Sequence, residues 1–482
     1  MEMIKKILKR YNDIPVAAKA TLWFMFCNIV QKGISLLTTP IFTRLMTVEQ
    51  YGQFSVYNSW LSIFTIFTTL RLNYAIFNKG MSKYKENRDD YTATMQSITF
   101  LLALCAFVIY LMFRNYFNNL TGLPTFIMVA IFTELLVTPA IDFWTLRKRY
   151  EYQYKPVVVR TLVMAFLNAF IGVIAVLLND EKGYARILTC VGVNLIFGVW
   201  LFAVNRTKSK VWLNRDYAKF AIMFNLPLFV HYMSVYILDQ FDRIMIQKMV
   251  SIAAAGIYSV AYNVGMLMKI VTQSINSALV PWQYEMLEKR QFKRVDDLLF
   301  VVYILIAGVA LMLSCFAPEA MRILANEKYY GGVYCIPPVA LGLVFSFMYT
   351  TFANVEIFYG LNKFTMYVSL AGAVLNIVLN YIGIQLFGYT AAAYTTLLCY
   401  VVFAAAHYVY MTVYMRKTQN VERVFQTKRL VILSACILTV GIFVIFIYDY
   451  WLARYLFVAA LGIIAVMKRD RLKGVLKVLK SR

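Results

Sequence analysis

The sequence predicts an all-α integral membrane protein. It has about 14 transmembrane helices, in two pseudo-symmetric six-helix bundles around a central cavity plus two C-terminal helices. Three observations carry this expectation. Of 482 residues, 61% are apolar and only 15% charged, against roughly 45–50% and 25% in a water-soluble domain. The apolar residues gather into stretches of roughly 20, enough to cross about 30 Å of hydrocarbon at 1.5 Å of rise per residue. The chain also repeats itself at an offset near 204 residues. The abundance of aromatic and aliphatic side chains excludes intrinsic disorder.

At the N-terminus, Ile4, Ile7, Leu8 and Tyr11 recur at helical spacing among Lys5, Lys6, Lys9 and Arg10. This predicts a short basic helix lying on an anionic membrane face, not a cleaved secretory signal. The C-terminal tail repeats the pattern, with Leu472, Val475, Leu476 and Leu479 between Arg471, Lys473, Lys477 and Lys480. Between these ends, fourteen spans run approximately over 20–42, 53–76, 93–113, 124–146, 157–178, 184–205, 219–247, 254–280, 298–317, 334–358, 364–387, 390–414, 430–448 and 450–467.

The net charge of +24 would suggest nucleic acid in a soluble protein. Here it has a topological reading, and no nucleic-acid partner is expected. Counting each loop with its adjoining helix ends, one set of alternate loops and both termini hold 35 basic residues, the opposite set holds 8, and five lie within spans. The positive-inside rule therefore places both termini in the cytoplasm. None of the seven cysteines forms a Cys-x-x-Cys pair and there are only two histidines, His231 and His407. Neither a disulfide framework nor a metal centre is expected. No loop is longer than about 20 residues and no phosphate-binding Gly-x-x-x-x-Gly-Lys motif occurs. With no room for a soluble catalytic domain, the expectation is a non-enzyme without a cofactor.

The internal repeat sets Arg44, Thr47, Gly52, Phe54, Ser55 and Val56 on Lys248, Ser251, Gly256, Tyr258, Ser259 and Val260. It also sets Leu167-Asn168 on Leu375-Asn376 and Gly183-Tyr184 on Gly388-Tyr389. Six spans separate the copies, so they have the same orientation in the membrane. The expected organisation is an N-terminal lobe over 1–217, a C-terminal lobe over 218–415, and spans 13 and 14 with a basic tail over 416–482. Two parallel repeats facing each other across a cavity are an alternating-access arrangement.

Several motifs resemble those of the bacterial polysaccharide-transporter family, the Wzx-type flippases of lipid-linked oligosaccharides. That family sits in the superfamily that also holds lipid II flippases and multidrug and toxin extrusion transporters. The resemblance rests on "KGISLLTTPIFTRLMTVEQYGQF" from Lys32 to Phe54, "LDQFDRIMI" from Leu238 to Ile246, "AGIYSVAYNV" from Ala255 to Val264 and Pro281. "KYYGG" from Lys328 to Gly332 and "LNIVLN" from Leu375 to Asn380 add to it. It covers roughly residues 18–415. It implies a flippase that carries undecaprenyl-diphosphate-linked sugars to the outer leaflet of the plasma membrane, for O-antigen, capsule or exopolysaccharide. It also implies membrane lipid and other polysaccharide-assembly proteins as partners.

Ionisable residues inside spans cost several kcal/mol unless they face water or a partner, which makes them candidates for function. The basic candidates for substrate binding are Lys32 in span 1, Arg71 in span 2, Arg243 in span 7 and Lys269 in span 8. A lipid diphosphate carries about two negative charges, for which Arg and Lys are natural counter-ions. Lys32 and Lys269 lie nearest mid-span. Asp239 precedes Arg243 by one helical turn in the favourable order for an ion pair, an alternative to substrate contact. Arg71 and Glu356 lie toward the cytoplasmic ends and could snorkel to the interface. Glu134, Thr138 and Asp142 make a polar stripe on span 4, suited to sugar hydroxyls, a coupling cation or helix pairing. With Asp239, Asp242 and Glu356, these acids leave room for coupling to a proton or sodium ion. Asn376 and Asn380 are expected to hydrogen-bond between helices, and His231 to be an interior side chain. Two other readings stay open: a cation-coupled multidrug exporter of the same superfamily, and a membrane glycosyltransferase or polymerase.

Overall fold

A chain that crosses hydrocarbon must satisfy every backbone N–H and C=O internally, and helices do so segment by segment. The computed structural model describes residues 15–467, and its regular elements are all helical. The basic segments expected at the two termini lie outside the described residues. Among the described residues, eleven helical segments are long and apolar enough to cross a membrane. Every one of the fourteen expected spans falls on a helix or on a broken pair of helices. The helices at 48–69 and 215–249 are not among those eleven, and the last apolar helix is shorter, over Trp451–Ile463. The protein is a multi-pass integral membrane protein.

Residues up to Tyr236 pack as one compact unit and residues from Ile237 as another. The first contains α1 (Val16–Leu45), α2 (Val48–Thr69), α3 (Ala75–Lys83), α4 (Arg88–Met112), α5 (Arg114–Thr121), α6 (Thr125–Tyr150), α7 (Tyr154–Leu178), α8 (Lys182–Thr207) and the first part of α9 (Arg215–Met249). Helix α6 packs on α8 and α4, and α1 on α7. One core cluster is built from Leu72, Ile76, Phe77, Tyr91 and Phe143, with Tyr217 and Ala221 of α9.

The second unit takes the last turns of α9, then α10 (Ile252–Gly265), α11 (Leu267–Glu288), α12 (Phe292–Cys315) and α13 (Ala317–Leu324). A 3-10 segment (Glu327–Cys335) leads to α14 (Ile336–Phe358), α15 (Asn362–Phe387), α16 (Ala391–Gln419), α17 (Thr427–Phe446) and α18 (Trp451–Met467). Its core joins Tyr303 and Ile306 of α12 to Val344 and Phe352 of α14 and Met411 of α16. The final two spans are separate helices, as expected.

Two expected spans are broken. The span expected over 53–76 ends as a helix at Thr69 and restarts at Ala75, and the span over 254–280 is interrupted at Met266. Within each unit, the residues that the repeat aligns do equivalent work. Thr47 caps α2 by accepting from the Gln50 N–H, and Ser251 caps α10 by accepting from the Ala254 N–H. Such N-caps satisfy a helix-end donor that would otherwise be orphaned.

Candidate functional site

Helix α2 stops because Leu70 and Arg71 adopt left-handed backbone conformations, with φ of 45° and 55°, costly for residues with a Cβ. Arg71 therefore does not sit inside a continuous helix, as expected for span 2, but in the break. Its guanidinium lies 4.7 Å from the ring centre of Tyr236, 5.4 Å from Tyr74 and 6.0 Å from Tyr232. Two residues on, Asn73 donates its Nδ2–H to Oδ2 of Asp142 at 2.7 Å.

Asp142 is exposed, and the cations that act on it are Arg160, Arg71 and Arg149. Arg149 comes from the last turn of α6 and rests 5.1 Å from the ring of Phe24 on α1. Arg160, on α7, donates to Thr145 Oγ1 at 2.5 Å and lies 5.8 Å from the ring of Trp144. In all three arginines Nε is buried with no hydrogen-bond acceptor. Three guanidinium groups against one carboxylate leave a net charge of +2 and donors to spare. Such an arrangement can hold a dianion, with planar donor forks matched to phosphate oxygens.

The remaining candidates of the first unit lie apart from this cluster in character. Glu134 is only 3% exposed. It accepts from Asn194 Nδ2 at 2.8 Å and from the Tyr57 hydroxyl. Thr138 spends its hydroxyl on the backbone carbonyl of Glu134. The expected polar stripe thus divides into a buried acid and an exposed one, with Pro139 between them. Lys32 is exposed on α1 and has no hydrogen-bond or ion-pair partner among the described residues. The His231 side chain lies outside the described residues.

In the second unit, the ion pair expected between Asp239 and Arg243 is not formed. Asp239 Oδ2 instead meets Lys269 Nζ at 2.9 Å, with both side chains partly exposed. Arg243 donates to the backbone carbonyl of Asp239 at 2.8 Å and to Ser259 Oγ at 3.2 Å, and lies 4.4 Å from the Tyr262 ring. Lys269 can reach Asp239 because the break at Met266 places it in the first turn of α11.

Asp242, fully buried, accepts from Tyr258 at 2.7 Å, from Asn380 Nδ2 at 2.7 Å and from Thr396 Oγ1 at 3.2 Å. Asn380 also donates to Asn376 Oδ1 at 3.1 Å and accepts from Thr395, while Asn376 donates to Thr396. The two asparagines bond between helices, as expected. A buried carboxylate saturated by neutral donors of three other helices is a closed network. Glu356 does not snorkel: it is fully buried, and its Oε2 lies 2.9 Å from Nδ1 of His407.

Arg149, Asn73 and His407 were not legible as site residues. Arg149 reads as one base in the run Arg147-Lys148-Arg149 at a helix end, and Asn73 as loop. Arg160 stood out only as a base inside a span.

The family model described as "polysaccharide biosynthesis protein" matches residues 17–287, more than half of the chain, and the MatE family model matches 227–382. A Haemophilus influenzae Lsg-locus protein is 23% identical over 366 residues, covering 72% of this chain and 86% of its own length. Among solved structures, the lipid II flippase MurJ in an inward closed conformation matches with a TM-score of 0.66 at 14% identity, over 94% of this chain and all of its own. An inward-facing multidrug-resistance MATE family transporter matches with a TM-score of 0.56 at 13% identity, over 83% and 99%. At such identities the structures show a shared fold. The family match carries the rest: this chain belongs to the polysaccharide biosynthesis protein family.

Proposed function

We propose that this protein is a flippase that moves undecaprenyl-diphosphate-linked oligosaccharide repeat units from the cytoplasmic to the outer leaflet of the bacterial plasma membrane. It works by alternating access and supplies O-antigen, capsule or exopolysaccharide synthesis. The observation that carries this reading is the set Arg71, Arg149 and Arg160 around Asp142, whose net charge of +2 complements a diphosphate. With both termini cytoplasmic, the end of α2, the end of α6 and the start of α7 fall toward the cytoplasmic leaflet, where the substrate is loaded. A relative of the same fold acts, by its name, on lipid II.

The energetics suit the reading. A diphosphate and its sugars stripped of water could not cross bare lipid, so the headgroup needs a polar route while the polyprenyl tail stays in the bilayer. An inside-negative potential drives an anion outward with about 2.3 kcal/mol per charge per 100 mV, on the order of 5 kcal/mol for two charges. Lys32 and Lys269 serve as further counter-ions on the way. Asp242, held by Tyr258, Asn380 and Thr396, is the place for a coupling sodium ion or proton. No catalytic residue or cofactor enters this scheme.

The test is transport of a lipid-diphosphate oligosaccharide across vesicles holding the full-length protein. Arg71→Ala and Arg160→Ala should each slow it about tenfold, the effect of roughly 1.4 kcal/mol, at unchanged protein yield. Lys32→Ala and Lys269→Ala should each slow it less. No transport beside a working control flippase would end the proposal. The MatE match over 227–382 favours a second reading, a cation-coupled exporter. Dye efflux that depends on sodium or protons, without lipid transport, would establish that one instead.

A further inference from the structure

The second unit holds a titratable pair that the scheme above does not use. Glu356 lies two residues before the end of α14, about 3 Å of helix rise, and His407 faces it from α16. The two side chains are 0% and 2% exposed, and Nδ1 meets Oε2 at 2.9 Å. The imidazole is stacked against Tyr349 of α14, with ring centres 5.5 Å apart, and edge-on to Phe364 of α15 at 5.6 Å. Thr365 approaches Oε2 at 3.5 Å, while Oε1 is buried with no hydrogen-bond partner among the described residues.

We infer that Glu356 and His407 form a proton-exchange site, sealed inside the second bundle and opened to water at the turn between α14 and α15. An apolar surrounding tolerates the pair only at zero net charge, which fixes its content at one proton shared between Nδ1 and Oε2. A purely structural pair would have both carboxylate oxygens satisfied. Here Oε1 is left as the one atom that needs a proton or a water when the carboxylate is ionised.

Among the described residues, the surroundings supply no substitute charge. The one charged group acting on Glu356 is His407, and the Lys363 side chain lies outside the described residues. From α16, Tyr410 stacks on Phe364. Beyond Tyr349 lie Asp239 of α9 and Lys269 of α11, which neutralise each other. The exit is short. Tyr359, Gly360 and Leu361 form the connecting turn, Gly360 has φ of +79° with open space around it, and the Leu361 N–H returns to the Glu356 carbonyl at 2.9 Å. When this turn moves away, water reaches Oε1 and solvates the carboxylate. The proton on Nδ1 then leaves to cytoplasmic buffer, and a proton must return before the pair can be sealed again.

Two measurements on the full-length protein test this, one of which does not depend on the transport reading. The chain has only two histidines, so NMR of labelled histidine, with His231→Gln for assignment, isolates His407. Across about pH 5 to about pH 9, the range that spans histidine titration, His407 should titrate, and Glu356→Gln should shift its midpoint by a unit or more. In vesicles, raising the pH on the cytoplasmic side should slow headgroup transport by up to about tenfold per unit for one proton. Glu356→Gln and the Glu356→Gln/His407→Gln double variant should remove that dependence. A His407 signal that stays in one protonation state across the range, or a Glu356→Gln titration that overlays the wild type, overturns the inference even where transport proceeds. Absence of transport alongside a coupled His407 titration refutes the flippase reading and leaves the proton site standing.

Discussion

A single buried charge is expensive, and Asp242 shows what it takes to keep one. Its two oxygens take hydrogen bonds from Tyr258, Asn380 and Thr396, all themselves buried or nearly so. Asp242→Ala should orphan three donors at once and destabilise the second unit by on the order of 3 kcal/mol or more, read as a lower melting temperature in detergent. Asp242→Asn keeps the volume and removes the charge, so its smaller stability loss should come with loss of any cation dependence of transport. Asp239 carries a different lesson at the same scale. Its spacing from Arg243 was visible in the sequence, yet the carboxylate turns to Lys269, thirty positions away. An i,i+4 pair contributes only about 0.2–0.5 kcal/mol, too little to outweigh an alternative cation that the fold delivers. Arg243 is compensated by Ser259, a backbone carbonyl and the Tyr262 ring.

At the level of helices, close approach and interruption decide the layout. Gly80 on α3 faces the ring of Tyr91 so tightly that a Cβ there would overlap it. The ring cannot withdraw, because its hydroxyl donates to the Ile76 carbonyl at 3.1 Å and it packs on Phe77. Gly80→Ala should therefore cost about 1–3 kcal/mol, the usual range for overpacking, with Tyr91→Phe as a control that keeps the crowding.

On the opposite side by charge asymmetry, Arg454 of α18 grips Glu319 of α13 with two bonds of 2.7 and 2.8 Å and the Cys315 carbonyl with a third. Burial works to raise the Glu319 carboxyl, but the Arg454 hydrogen bonds and charge outweigh it and hold the group below its ordinary value. A lowered folded-state value means the clamp stabilises fully above the ordinary carboxylate range and is lost as pH falls through the lowered value. The melting-temperature gap between wild type and Arg454→Ala should thus be constant above about pH 5 and close below about pH 4. A gap that widened on acidification would contradict this account.

Over the whole molecule, the uneven distribution of Lys and Arg predicts both termini in the cytoplasm. Cysteines placed in the turn at 359–361 and in the 3-10 segment at 327–335 should be labelled from opposite sides by an impermeant thiol reagent. Labelling of the turn from the outer side and of the 3-10 segment from the cytoplasmic side would invert the topology and with it the loading end proposed for the arginine set.

What the sequence determined by itself follows from solvent. Hydrocarbon demands about 20 apolar residues per crossing and water demands charges in the loops, so the spans, their number and the family motifs are written locally and survive reading one residue at a time. Even the two interrupted spans announced their helices correctly and failed only at the breaks, which rest on left-handed φ values at Leu70 and Arg71 that no composition encodes. Only the tertiary structure decided the partners: Arg149 and Arg160 with Asp142, Lys269 with Asp239, His407 with Glu356. The physical reason is that hydrophobicity acts on stretches of chain and is additive, whereas compensation of a buried charge depends on distances of about 3 Å between residues far apart in sequence, set when helices pack.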